Sequence, residues 1–185
     1  GEVSDQLTIS AELTENGFSA VINKDIEIAY DDDHLDIKSR KVGYNIAAIR
    51  EFMDDFPDTS QDRQDEDQGI ILNLSAEDSF LYLSPQSRVL ADTIQLRYGD
   101  NEFLMDLKHG NGLLQLQRIG GIYFVNGEKL NDEFMGALVQ GSYVQGGTLA
   151  LAGMGTADEL SAVIEIQDTV LKDLKTLNNT MTLLN

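Results

Sequence analysis

Apolar and polar residues alternate one for one along most of this chain. In "QLTISAEL", Leu7, Ile9, Ala11 and Leu13 fall on one side. Phe18, Ala20 and Ile22 resume the period after "ENG", and Ile26, Ile28 and Tyr30 alternate with acidic residues. Leu35 and Ile37 alternate with Asp36 and Lys38. A period of two with one apolar side predicts half-buried antiparallel strands, and "TENG" and "YDDDH" predict the hairpin turns between them. The second half repeats the pattern. There "GIILNLS", "SFLYLS", "VLADTIQLRYG", "EFLMDLKHG", "GLLQLQRIG", "GIYFVNG" and "TLALAG" predict short strands punctuated by Gly, Asn and Asp. Their spacing predicts a meander of hairpins. Phe80 to Leu83 is apolar on both sides, which predicts a sheet covered on both faces there.

Helical spacing occurs three times. "NIAAIREFMDDF" places Ile46, Ile49, Met53 and Phe56 together, with Asn45 as N-cap. "LNDEFMGALV" places Leu130, Phe134 and Leu138 together, with Asn131 or Asp132 as cap. The closing stretch carries Leu171, Leu174, Leu177, Met181 and Leu184 at helical spacing. Each follows a strand and a few polar residues, so either a strand-to-helix module is used more than once or these are ordinary corners of one domain. The segment 57–69, "PDTSQDRQDEDQG", is polar and acidic and predicts an exposed loop joining two portions of one sheet. The fold class expected is α+β and β-dominated: a curved antiparallel sheet forming an open groove, with short amphipathic helices at strand ends. Residues 1–185 are expected to be a single such segment.

Composition narrows the function. Hydrophobic residues at 42% and charged residues at 24% are near the globular average, which argues against a disordered chain. The formal net charge of −19 repels phosphate backbones, so nucleic acid is not an expected partner. The absence of cysteine excludes disulfides, thiolate zinc sites and cysteine nucleophiles. No apolar run reaches the roughly 18 residues of a spanning helix.

Candidate chemistry is sparse. "DDDH" at Asp31 to His34 offers metal-capable groups, but a run of acids in a turn does not converge on one ion, so a solvated turn is expected. Asp62, Asp65 and Asp67 lack the spacing of a calcium-binding EF-hand loop. His34 and His109 have no nucleophile signature around them. "GMGTAD" at Gly153 to Asp158 lacks the Lys-Ser/Thr of a phosphate loop and reads as a hairpin turn. The pairs Gly120–Gly121 and Gly146–Gly147 are expected to mark bends or bulges. No acid–base pair of carboxylates stands out. No enzyme activity and no cofactor are therefore expected.

The stretch "GGTLALAGMGTADELSAVIEIQDTVLKDLKTLNNTMTLLN" resembles the C-terminal region of AsmA-like proteins, in particular the YhdP-like branch. Gly146, Gly147, Leu149, Leu151, Gly153, Ile164, Ile166, Thr169, Leu171, Lys172, Leu177, Asn178, Asn179, Leu184 and Asn185 carry the likeness. "IEIAYDDDHLDIKSRKVGYNIAAIREFM" and "GIYFVNGEKLNDEFMGALV" are similar to the family's strand-and-helix units. The resemblance implies a non-enzymatic segment of a longer protein of the Gram-negative envelope, anchored in the inner membrane and projecting into the periplasm. It implies an apolar groove that binds phospholipid or another acyl-chain lipid and transfers it between inner and outer membranes. It also implies neighbouring segments of the same full-length chain as partners, with the membrane anchor outside this sequence. The lipid-contact candidates on this basis are Leu7, Ile9, Leu13, Phe18, Ile22, Ile26, Ile28, Leu149, Leu151, Ile164 and Ile166. The strong negative charge is a departure from what the family leads one to expect. The chain ends inside the closing helical pattern, where the family continues, so Met181 and Leu184 are expected to seek a partner. The rival class is a structural or adhesive β-protein in which the same apolar side is a closed core. A hydrolase is least favoured, because no nucleophile and base come together.

Overall fold

A computed structural model describes residues 7–45, 48, 70–84, 87–99, 102–132, 134, 144–156, 159–168 and 170–171. Among these residues fourteen strands run in chain order: β1 (Ile9–Leu13), β2 (Gly17–Ile22), β3 (Ile26–Asp31), β4 (His34–Arg40), β5 (Gly43–Asn45), β6 (Ile71–Ser84), β7 (Ser87–Gly99), β8 (Glu102–His109), β9 (Gly112–Ile119), β10 (Ile122–Leu130), β11 (Val144–Gln145), β12 (Thr148–Gly155), β13 (Leu160–Gln167) and β14 (Val170–Leu171). Twelve of them form one open, curved sheet that does not close into a barrel. Its order is β1-β2-β3-β4-β6-β7-β8-β9-β10-β12-β13, with β5 also on β6 and a separate pair β11-β14.

Local chemistry sets most of the turns. Asp32 and Asp33 both have positive φ, 42° and 68°, in a two-residue hairpin closed by the pair Asp31–His34. Such a turn matches the twist of the strands, and Asp tolerates the left-handed region better than most residues. Gly120 and Gly121 (φ 55° and 81°) turn β9 into β10 in the same way, so this pair is a hairpin turn rather than a bulge. Gly146 and Gly147 link β11 to β12. The "TENG" turn is closed by Thr14 N–H donating to the Gly17 carbonyl at 3.0 Å.

Two features depart from the sequence-based expectation. The sheet is not wholly antiparallel: β4 and β5 both pair with β6 in parallel. A parallel return needs a crossover of a dozen or more residues, and the chain between Asn45 and Ile71 is long enough to supply one. Moreover, "GIILNLS" and "SFLYLS" belong to one strand, β6. The polar "AED" between them does not end the strand; Asp78 takes φ 47° within it. The interruption falls level with Lys41 (φ 59°), between β4 and β5. Lys41 N–H donates to the Glu77 carbonyl and Phe80 N–H to the Val42 carbonyl, so the ladder is carried past it.

Of the expected helices, Ala48, Asp132 and Phe134 are helical; Asn45, expected as an N-cap, ends β5, and Leu130, expected on the second helix, ends β10, while residues 46–47, 49–56, 133 and 135–139 lie outside the described residues. Asn131 does act as a cap, since its Oδ1 accepts from Phe134 N–H at 2.9 Å. Leu171, expected to open the closing helix, instead lies in β14 paired with Val144. Residues 172–185, with Met181 and Leu184, and the acidic segment 57–69 lie outside the described residues.

The core gathers on β6, β7 and β8, from Leu72, Leu74, Ala76, Leu81, Val89, Ala91, Ile94, Leu96, Phe103, Met105 and Leu107, and extends to Leu130, Phe134 and Leu149. Phe80, on the opposite side of β6 from Leu81, is covered by the Arg88 guanidinium at 4.9 Å. Ser39 is buried and shares a hydrogen bond with the half-buried Tyr44 hydroxyl. Burial raises the Tyr44 pKa above its usual 10.0, with the Ser39 bond acting in the opposite direction. The stability this group contributes is therefore complete below about pH 10 and is lost as pH rises toward its folded value. Tyr44→Phe should cost about 1 kcal/mol at neutral pH and lose stability less steeply than wild type above pH 10, read from urea midpoints across pH 8 to 11.

Candidate functional site

Cross-strand register, followed from one edge of the sheet to the other, sorts the side chains onto two faces. One row reads Ala11, Ala20, Ile28, Ile37, Leu74, Leu96, Met105, Leu116, Val125, Gly153, Ala162. It crosses eleven strands without a polar side chain. The row on one side runs from Ile9 through Ile22, Ile26, Ser39, Ala76, Ile94, Leu107, Leu114, Gly127 and Leu151 to Ile164. On the other side Leu13, Phe18, Tyr30, Leu35, Leu72, Tyr98, Phe103, Arg118, Tyr123 and Gly155 follow in order. A period of two within each strand and a fixed register between strands are what align these rows.

The candidate contact residues mostly share this face but form two groups. Ile9, Leu13, Phe18, Ile22, Ile26 and Ile28 lie on β1 to β3, and Leu151, Ile164 and Ile166 on β12 and β13, at the opposite edge. The flanks are accessible: Leu13 is 85% exposed, Ile164 36% and Ile166 39%. The centre, from Leu72 and Leu74 to Met105 and Leu107, is buried. Two candidates do not fit. Leu149, 4% exposed, is a core residue packed in the same cluster as Leu130 and Phe134. Leu7 precedes β1 and belongs to no strand.

Periodicity within single strands could not reveal what the register adds. Arg118 is the one charged residue in the three rows, and its guanidinium lies 5.8 Å from the Tyr123 ring centroid. Beyond Tyr123, β12 offers Gly155 and then Gly153, with Ala162 alongside on β13.

The opposite face is polar over the middle of the sheet. A depression of about 560 Å³ there is lined by Asp36, Lys38, Asn73, Gln95, Arg97, Asp106 and Gln115 among others. Its carboxylates are engaged by neighbouring amides, Asn73 to Asp36 at 2.9 Å and Gln115 to Asp106 at 3.0 Å. Leu104 also lines it, but charged and amide side chains surround that leucine. The rows on the other face, with one charged residue among them, offer the longer apolar surface. At the other end this face is less polar, with Ile119, Ile122, Phe124, Met154 and Val163 exposed.

The remaining candidates are accounted for locally. His34 Nδ1 bonds the Asp32 carbonyl at 3.0 Å, and Tyr30 donates to Asp33 at 3.4 Å, both within the turn. His109 Nδ1 meets Asp92 of β7 at 3.3 Å, and the other Asp92 oxygen accepts from Gly110 N–H at 2.6 Å, tying β7 to the β8–β9 turn. The "GMGTAD" stretch ends β12 and turns into β13, with Thr156 N–H donating to the Glu159 carbonyl. Among the described residues no group of three or more His, Asp or Glu side chains is placed to hold a metal. No protein-family model matches the chain, and neither curated proteins nor solved structures include a significant match.

Proposed function

We propose that this chain is a non-enzymatic segment of an AsmA-like, inner-membrane-anchored periplasmic protein, and that its apolar face binds phospholipid or another acyl-chain lipid for transfer between inner and outer membranes. The observation that carries the reading is the set of three largely apolar rows, two crossing eleven strands and one crossing ten. An acyl chain needs a continuous apolar surface, and this sheet offers one whose flanks remain exposed. The likeness of the 146–185 stretch to AsmA-like proteins supplies the cellular setting. The outer edges of β1 and β13, unpaired among the described residues, suit junctions with neighbouring segments of a longer chain.

The buried centre favours a second reading, a structural β-protein whose apolar face is a closed core. Ile28 separates the two because it is half-buried on the β3 flank, in the same row as buried Leu74. Ile28→Asp is expected to leave the unfolding midpoint near that of wild type and to abolish retention of lipid, read by native mass spectrometry after mild extraction. Under the closed-core reading the buried charge would instead cost several kcal/mol and unfold the chain. Unfolding without a separable loss of lipid would decide for the closed core.

A further inference from the structure

We infer that Arg118 binds the phosphate of an acyl-chain lipid whose chain lies along β12 over Gly155 and Gly153. The inference rests on the acyl-lipid reading above and specifies the headgroup chemistry and the place.

Arg118 is half-buried and is the sole charge in three rows of apolar positions. A charge on an apolar surface loses hydration and normally recovers it through a carboxylate or carbonyl partner. Among the described residues no acceptor bonds its guanidinium, which lies over the Tyr123 ring. The chain carries 32 acidic side chains, so the missing partner does not reflect a shortage of carboxylates. A planar guanidinium held by an aromatic ring, with its N–H groups unspent, suits bidentate binding of a phosphate.

The surroundings supply the chain's path. The row runs from Arg118 to Tyr123 to Gly155, and the next from Val125 to Gly153 to Ala162. Gly155 and Gly153 carry no side chain and Ala162 only a methyl, which makes a low strip across β12 and β13, about one strand spacing, ~4.8 Å, from Tyr123. It continues past Leu151 to the exposed Ile164 and Ile166. Arg118 lies beside the Gly120–Gly121 turn, at the end of the sheet. A headgroup there stays at the rim while the chain runs inward. The net charge of −19 does not draw anions to the protein; the acyl chain supplies affinity and Arg118 fixes the orientation.

The test compares oleoyl lysophosphatidic acid with monoolein, the same chain with and without phosphate, by isothermal titration calorimetry below micellar concentrations. Wild type should prefer the phosphate lipid by roughly tenfold to a hundredfold, the range of a charged hydrogen-bonded pair. Arg118→Gln should erase that preference and leave monoolein affinity unchanged. Its thermal midpoint should not fall, whereas a merely structural arginine would lower it. Arg118→Lys should restore part of the preference. Ala162→Trp, which raises a bulky ring on this strip, should weaken both lipids and preserve their ratio. Inorganic phosphate alone should not bind measurably. If Arg118→Gln keeps the preference, if wild type binds the two lipids equally, or if inorganic phosphate binds as tightly as the lipid, the assignment of Arg118 falls while acyl-lipid binding stands. If neither lipid binds, the acyl-lipid reading falls with it.

Discussion

Leu107→Ala should destabilise the chain by about 2–5 kcal/mol, the cost of removing a buried Leu and leaving its cavity. Leu107 is 0% exposed on β8, between Ile94 and Leu114 in its row. All three strands are internal to the sheet and fixed by ladders on both sides, so the backbone has little freedom to collapse into the void. Against a typical total of about 5–15 kcal/mol, such a loss is a large fraction of the stability. Leu13, a row residue 85% exposed on the edge strand β1, provides the contrast. Leu13→Ala should change stability by less than about 0.5 kcal/mol. Guanidinium unfolding measures both, with an unchanged slope showing that stability and not compactness has moved. Similar small effects for the two would mean that the apolar rows are not a core even at their centre.

That contrast between centre and flank was only partly legible in the sequence. The alternation of Ile26, Ile28 and Tyr30 with acidic residues places one side of β3 correctly, because a strand's side-chain period is local. It does not say which strands lie in the middle. Leu149 and Ile166 look alike in their strands, yet one is 4% and the other 39% exposed, because β12 is internal and β13 is an edge. The parallel pairing of β4 with β6 was hidden for the same reason. Its cue was there, a helical pattern and a polar segment between two strands, but the acidic 57–69 stretch reads equally well as a plain loop. Asp78 misled in the other direction. A polar "AED" reads as the end of a strand, whereas the bonds from Lys41 and Phe80 carry the ladder past it. Arg118 was invisible as a site residue because its significance lies in its row neighbours. "GLLQLQRIG" alone shows only an arginine near a turn, and it takes the pairing with Phe103 and Tyr123 to show that it stands on the apolar side.

Phe134→Ala should be the second large loss, about 3–5 kcal/mol. Phe134 is 1% exposed and lies in the first helical turn after β10, where Asn131 Oδ1 accepts its backbone N–H at 2.9 Å. Leu130, four residues earlier, folds back over Gly127; a Cβ built on that glycine would come within 2.7 Å of the Leu130 Cδ1. Glycine at 127 therefore lets Leu130 lie flat, and Leu130, Phe134 and Leu149 bury one another at this corner of the sheet. The cap and the aromatic ring act on the same turn: the cap orients the chain so that the ring points inward. Asn131→Ala should accordingly cost about 0.5–2 kcal/mol, and the double variant should lose less than the sum of the two, because a turn without its cap no longer holds Phe134 in place. Urea midpoints of the four proteins give the coupling directly. Strict additivity would separate cap from ring, and a Phe134→Ala loss below about 0.5 kcal/mol, ordinary for a surface site, would remove Phe134 from the core.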